Sequence, residues 1–158
     1  KDFLYEQYYL YKDALCNQDS PERLSKLQTA LSITLPDFEI HKIYNYRLSW
    51  TELSILNNIA YEYSCQNLLY QSHLYYEQIM NYYKYAHQSI ILQSHTYSVT
   101  IALFCRLLYN QNCHQDALDM FVPQKMYPLN YSLSFLGQFL FYYCQVCGEC
   151  SFINDMSL

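Results

Sequence analysis

Apolar and polar positions alternate along the chain in a way that predicts a succession of amphipathic helices. Leu4, Tyr8, Tyr11 and Leu15 recur at steps of four, three and four, the spacing of a single helical face. That pattern stops near residues 17–19. Ser20 then stands as a cap, with Pro21 at the tolerated first helical position and Glu22 near the positive end of the dipole. The helix they open carries its face on Leu24, Leu27 and Leu31. Leu35-Pro36-Asp37 ends it, because the residue before a proline avoids the α region.

The strongest local signal is Leu48-Ser49-Trp50-Thr51-Glu52-Leu53. Ser49 and Glu52 stand at capping-box spacing, each placed to satisfy a backbone N–H left over at a helix start, and Leu48 and Leu53 sit where a hydrophobic staple needs them. The helix that follows has Leu56, Ile59, Ala60 and Tyr63 as its stripe and Asn67 as a left-handed stop. A partner helix places Leu69, Ser72, Tyr76 and Ile79 inward. The same grammar returns with Ile101, Phe104, Cys105 and Leu108, closed by Asn112, and continues through Ala117 and Phe121. A weaker third copy runs through Leu140, Phe141 and Cys144 to Gly148. The three stop residues recur at unequal intervals (45, then 36 residues), against a period of ~34 for tetratricopeptide-type helical hairpins. The extra length in the first interval falls over residues 82–95, as a longer second helix and loop. Counted back from the stop, Leu56, Ile59, Ala60 and Tyr63 fit the tetratricopeptide pattern, and so does Ser72 as the small residue five places after it. Ile101, Phe104, Cys105, Leu108 and Ala117 fit it again. In the third copy Gly137 and Ile153 fall at the large and small places and fit poorly. The reading is an all-α, right-handed superhelix of tetratricopeptide-like hairpins forming one repeat domain over residues 1–158, with hairpins at about 1–38, 48–87, 96–128 and 132–158.

Composition narrows the function classes. The 158 residues include two glycines, Gly137 and Gly148, so neither a phosphate-binding Walker loop nor a dinucleotide fingerprint is present. Nine Lys and Arg against 14 Asp and Glu leave a net charge of −5, which does not attract a phosphate backbone by bulk charge. Tyrosine is abundant, at 20 residues, and suits both the layers between packed helices and binding surfaces, since its ring is apolar and its tip polar. The most apolar stretch, residues 131–147, is interrupted by Ser132, Ser134, Gln138 and Gln145 and is shorter than the ~20 residues of a bilayer span. No signal segment is evident, and seven irregularly spaced cysteines do not form a secreted disulfide framework. A cytoplasmic protein with no membrane partner is expected.

Candidate chemistry is sparse. Cys144, Cys147 and Cys150 have the spacing of metal-binding thiolates, but no fourth ligand stands nearby, and Cys113-His114 completes a zinc site only if the last repeat folds back onto it. On a helix, that spacing turns all three thiols toward one apolar face. His41, His73, His87, His95 and His114 include no His-Glu-x-x-His motif, and no nucleophile elbow exists without flanking glycines. Neither an enzyme nor a cofactor-bound protein is expected.

The run Leu27-Gln28-Thr29-Ala30-Leu31, then Leu35-Pro36-Asp37-Phe38, then Tyr46-Arg47-Leu48-Ser49 with Glu52 and Ile55-Leu56-Asn57-Asn58-Ile59-Ala60, resembles a stretch of the C-terminal repeat domains of Rgg/MutR-type transcription regulators. These are helix-turn-helix proteins of Gram-positive bacteria, related to the peptide-pheromone receptors of quorum sensing. The likeness is clearest over residues 24–121. It implies an all-α superhelix that senses a short signalling peptide on its concave side and dimerises. DNA would then be reached through an N-terminal helix-turn-helix domain lying outside this chain.

In such a superhelix the first helix of each repeat lines the concave wall. That places Asn57, Asn58 and Tyr61 there from the first copy, with Ser64 and Cys65 a turn later. The next copy gives Ala102, Leu103, Arg106, Tyr109 and Asn110, and the last gives Gln138, Phe139, Tyr142 and Gln145. Paired amides suit an extended peptide because each donates and accepts at once. Tyr61, Tyr109 and Tyr142 offer contact area at low entropic cost, and Arg106 suits a carboxylate. The plainer alternatives are that Asn57 and Asn58 are solvated or cap a loop, that Arg106 pairs with an acid such as Glu62, and that the whole domain is an interaction scaffold with no small ligand.

Overall fold

Six α-helices and one short 3-10 helix, with no strand, make up the described residues 2–16, 21–85 and 95–120 of the computed structural model. The chain divides into two compact units, residues 1–86 and 87–158. The first unit holds α1 (Phe3–Cys16), α2 (Arg23–Thr34), the 3-10 helix (Ile40–Asn45), α3 (Trp50–Cys65) and α4 (Leu69–Tyr85). The second holds α5 (His95–Asn110) and α6 (His114–Asp119). The hairpin expected over residues 132–158, and Phe121, lie outside the described residues.

Helix α3 begins where its sequence dictates. The Ser49 hydroxyl accepts from the Glu52 N–H at 3.3 Å while the Glu52 carboxylate accepts from the Ser49 N–H at 2.6 Å, a complete capping box. It ends equally clearly. Asn67 takes a left-handed φ of 60°, which lets the Leu68 N–H reach the Tyr63 carbonyl (2.8 Å) and the Asn67 N–H reach that of Ser64 (3.1 Å). Helix α5 closes on the same plan: Asn112 has φ 60°, with Cys113 N–H to the Leu108 carbonyl and Asn112 N–H to that of Tyr109, both at 2.9 Å. The two stops proposed from the sequence are therefore the same structural device. Each is followed by a helix returning along the one before it.

The small residues of the two copies occupy matching places as well. Ala60 and Ser72 are sealed where α3 meets α4, and Cys105 and Ala117 where α5 meets α6. The remaining stripe of α3 is buried as expected at Leu56, Ile59 and Ala60, while Tyr63 is half-buried and packs its ring edge-on against Tyr75. On α4, Ser72, Tyr76 and Ile79 face inward with Met80 and Tyr83, but Leu69 is exposed.

Two elements depart from the sequence reading. Helix α2 starts at Arg23, with Glu22 at its N-cap making no side-chain capping hydrogen bond and Pro21 in the preceding turn, so proline does not enter the first helical turn. Its buried face adds Arg23 and Ala30 to Leu27 and Leu31, and Leu24 is half-buried. Helix α1 buries Gln7 and Ala14, whereas the expected face leaves Leu4 and Tyr8 exposed and Tyr11 and Leu15 half-buried. The helix is held through polar side chains: the Gln7 amide donates to the Thr34 hydroxyl (2.6 Å), which donates to Glu52 (2.6 Å), and Lys26 pairs with Asp13 (2.7 Å). The 3-10 helix between α2 and α3, which the pattern did not reveal, buries Ile40 and Ile43 and packs on α4. Tyr82 tethers the entry to α3 through its hydroxyl, which accepts from the Leu48 N–H at 3.0 Å.

Candidate functional site

Helix α3 buries most of its circumference, which leaves a narrow accessible edge on Trp50, Ser54, Asn58, Tyr61 and Cys65. The steps of three and four residues keep these side chains in one line along the helix. Beneath the middle of this edge lies Arg23 from the first turn of α2. A cation there faces the positive end of its own helix dipole, an unfavourable position that the surrounding groups must offset. Its Nη1 donates to the Glu62 carboxylate at 2.5 Å, with both side chains more than nine-tenths buried (7% and 9% exposed). Nη2 donates to Asn58 Oδ1 at 3.2 Å, and the guanidinium carbon lies 5.9 Å from the centre of the Tyr61 ring. Nε is buried and meets no acceptor among the described residues.

Asn58 links three helices. Its Nδ2 donates to the Ser54 carbonyl one turn back (2.8 Å) and to the Tyr11 hydroxyl of α1 (3.4 Å), while its oxygen holds Arg23. Burial pushes the Tyr11 phenol above its ordinary range, against the opposing pull of Lys12, Arg23 and the Ser54 and Asn58 hydrogen bonds. The cluster is therefore an anchored arginine covered by an amide and two phenols, with Asn58 and Tyr61 partly open to solvent. Such a surface offers a donor, an acceptor and a flat ring to an extended backbone, and it holds no nucleophile–base pair.

The expected concave residues divide accordingly. Asn58 and Tyr61 come together on the α3 edge. Asn57 does not join them: it is 1% exposed and belongs to the interior of the first unit, because one residue turns a helix by about 100° and carries it away from its neighbour. Ser64 is half-buried and donates to the Tyr61 carbonyl (2.6 Å), and Cys65 is exposed. In the second unit, Arg106 and Asn110 are exposed, Tyr109 and Leu103 half-buried and Ala102 buried. Glu62, considered as a partner for Arg106, is engaged by Arg23 instead. Gln138, Phe139, Tyr142 and Gln145 lie outside the described residues, as do Cys144, Cys147 and Cys150. Among the described residues no helix is long and apolar enough to cross a membrane.

Arg23 was not singled out from the sequence, and Tyr11 was read only as part of the apolar face of the first helix. Arg23 carried a usable signal: it stands four and eight places before Leu27 and Leu31, on the apolar stripe itself, where a charged residue must be paired if the stripe is buried. Comparison of the chain with family models, curated proteins and solved structures gives no match.

Proposed function

We propose that the chain is a binding module that takes a short extended peptide along the accessible edge of α3. In this reading it serves as the sensory domain of a bacterial transcription regulator. The observation that carries it is the Asn58–Tyr61 pair, held in place by the buried Arg23–Glu62 ion pair and left partly open. A buried ion pair contributes little net stability, so its value here is to fix the orientation of the side chains above it. The Asn58 amide and the Tyr61 ring then meet a peptide already in their binding conformation, which lowers the entropic cost of association. The repeated hairpin grammar of α3–α4 and α5–α6 supports a right-handed superhelix of tetratricopeptide-like hairpins, with Arg106, Tyr109 and Asn110 on the first helix of the second hairpin. The likeness to Rgg/MutR-type sensory domains supports a signalling peptide as the ligand, and a cytoplasmic setting with DNA contacted by a separate helix-turn-helix domain.

Isothermal titration of the full chain with a panel of short apolar peptides tests this reading. At least one peptide should bind, and Asn58→Ala or Tyr61→Ala should weaken it by roughly tenfold or more. Absence of heat across the panel, with the helical circular dichroism intact, overturns the peptide reading. The second reading, a protein-interaction scaffold with no small ligand, is favoured by one observation: α1 exposes a run of large aromatic side chains.

A further inference from the structure

Helix α1 is fastened to the first unit by one face and offers five of its eight large apolar side chains to solvent. Phe3, Leu4, Tyr5, Tyr8 and Tyr9 are 58%, 67%, 69%, 49% and 64% exposed. At 100° per residue, Tyr5, Tyr8, Tyr9 and Lys12 share the half of the helix turned away from Gln7 and Ala14, Leu4 borders that half at its start, and Phe3, four places before Gln7, lies on the opposite side. The acids of the helix, Glu6 and Asp13, lie along one flank, and Asp13 is tied to Lys26. The charge on the aromatic half is Lys12, whose ammonium sits 5.3 Å from the Tyr8 ring centre and 5.9 Å from that of Tyr11.

We propose that this face is a self-association surface, on which α1 of a second copy of the chain packs antiparallel. Three observations favour that occupant. The first is area: three tyrosine rings and a leucine at these exposures present roughly 550 Å² per copy, on the order of 1,100 Å² for a symmetric pair, just above the ~1,000 Å² that a specific interface should clear. The second is charge. The chain carries a net −5, so two copies repel over most of their surface, whereas this face carries a cation and electron-rich rings. The third is self-complementarity. An antiparallel pairing sets Lys12 of each copy beside Tyr5 and Tyr9 of the other, so the ammonium exchanges water for further ring faces and meets no like charge. The surface adjoins the α3 edge at Tyr11, whose ring Lys12 approaches, but the inference does not depend on peptide binding.

Sedimentation equilibrium of the full chain from about 1 to about 100 µM tests it, a range suited to an interface of this size. The average mass should rise from one chain toward two across that range. Tyr5→Glu/Tyr9→Glu should move the midpoint at least tenfold higher, and Lys12→Glu should move it in the same direction. Both variants alter exposed positions and should leave the circular dichroism unchanged. Tyr70→Glu, equally exposed but on α4, should associate like the parent chain. A parent chain that stays monomeric throughout overturns the proposal. So does a dimer that tolerates the α1 substitutions or is broken by Tyr70→Glu, since its contact then lies elsewhere.

Discussion

The Ser72 hydroxyl donates to the Ala60 carbonyl at 2.8 Å across the α3–α4 hairpin, and both residues are fully buried. The equivalent place in α5–α6 holds Cys105 and Ala117, with the thiol 3.5 Å from the Ala117 carbonyl. The polar member has changed helix, from the second to the first, while both sites remain small. Close approach of the backbones, not the hydrogen bond, is therefore what the repeat preserves. Ser72→Ala should cost no more than about 1.5 kcal/mol, the worth of one neutral hydrogen bond. Ala60→Leu should cost about 1–3 kcal/mol or more through overpacking. Chemical denaturation of both variants measures the difference, and equal losses would show that the hydrogen bond dominates.

The Arg23–Glu62 pair makes a sharper energetic prediction. Glu62→Leu leaves a guanidinium buried against α3 with one amide for a partner, and should destabilise by about 3–5 kcal/mol. Arg23→Met combined with Glu62→Leu removes both charges and should recover most of that loss. In urea melts the double variant should be more stable than Glu62→Leu alone. If the two losses simply add, the pair is not coupled in the way its geometry requires.

The two ends of α3 and the end of α5 were legible in the sequence because each is set by one or two side chains acting on nearby backbone, whereas the start of α2 was not. Ser49, Glu52, Asn67 and Asn112 do in the structure what their spacing implied. The inward face of α1 was not legible, since tyrosines lie on both sides of that helix and Gln7, a polar residue, takes the buried place through Thr34. Assigning Asn57 and Asn58 to one wall failed for a related reason. A repeat pattern locates a stretch of helix, but adjacent residues diverge by about 100°, and only the packing of the neighbouring helices decides which one is covered. The α3 edge was thus half visible: Asn58 and Tyr61 were named, and the arginine that organises them was not.

The left-handed stops give a direct test of the hairpin turns. Asn67 holds φ at 60° at the cost of some strain, which glycine would relieve and a residue with a larger branched side chain would increase. Asn67→Gly should leave stability unchanged or raise it by up to about 1 kcal/mol, whereas Asn67→Val should lower it by about 1–2 kcal/mol or more. Thermal melts should therefore separate the two variants, with Asn67→Val falling below the parent chain and Asn67→Gly at or above it. A common shift would mean that the Asn67 side chain, not its backbone conformation, sets the turn.

Alkaline titration probes the half-buried phenols. Burial raises the Tyr75 phenol strongly, with Tyr63 adding to the shift, and burial raises that of Tyr11 as well. A group whose folded pKa exceeds its unfolded value near 10 holds its proton longer in the native state. Its contribution is complete below pH 10 and is lost as the pH climbs toward the folded value. While one such group is neutral in the native state and ionised in the unfolded state, stability falls by about 1.4 kcal/mol per pH unit. The chain should keep its melting temperature up to about pH 9.5 and lose it steeply above pH 10. Tyr75→Phe, which keeps the ring against Tyr63 and removes the titrating oxygen, should make that decline shallower. Melts at several alkaline pH values check this, and an unchanged slope in Tyr75→Phe would place the sensitivity on other groups.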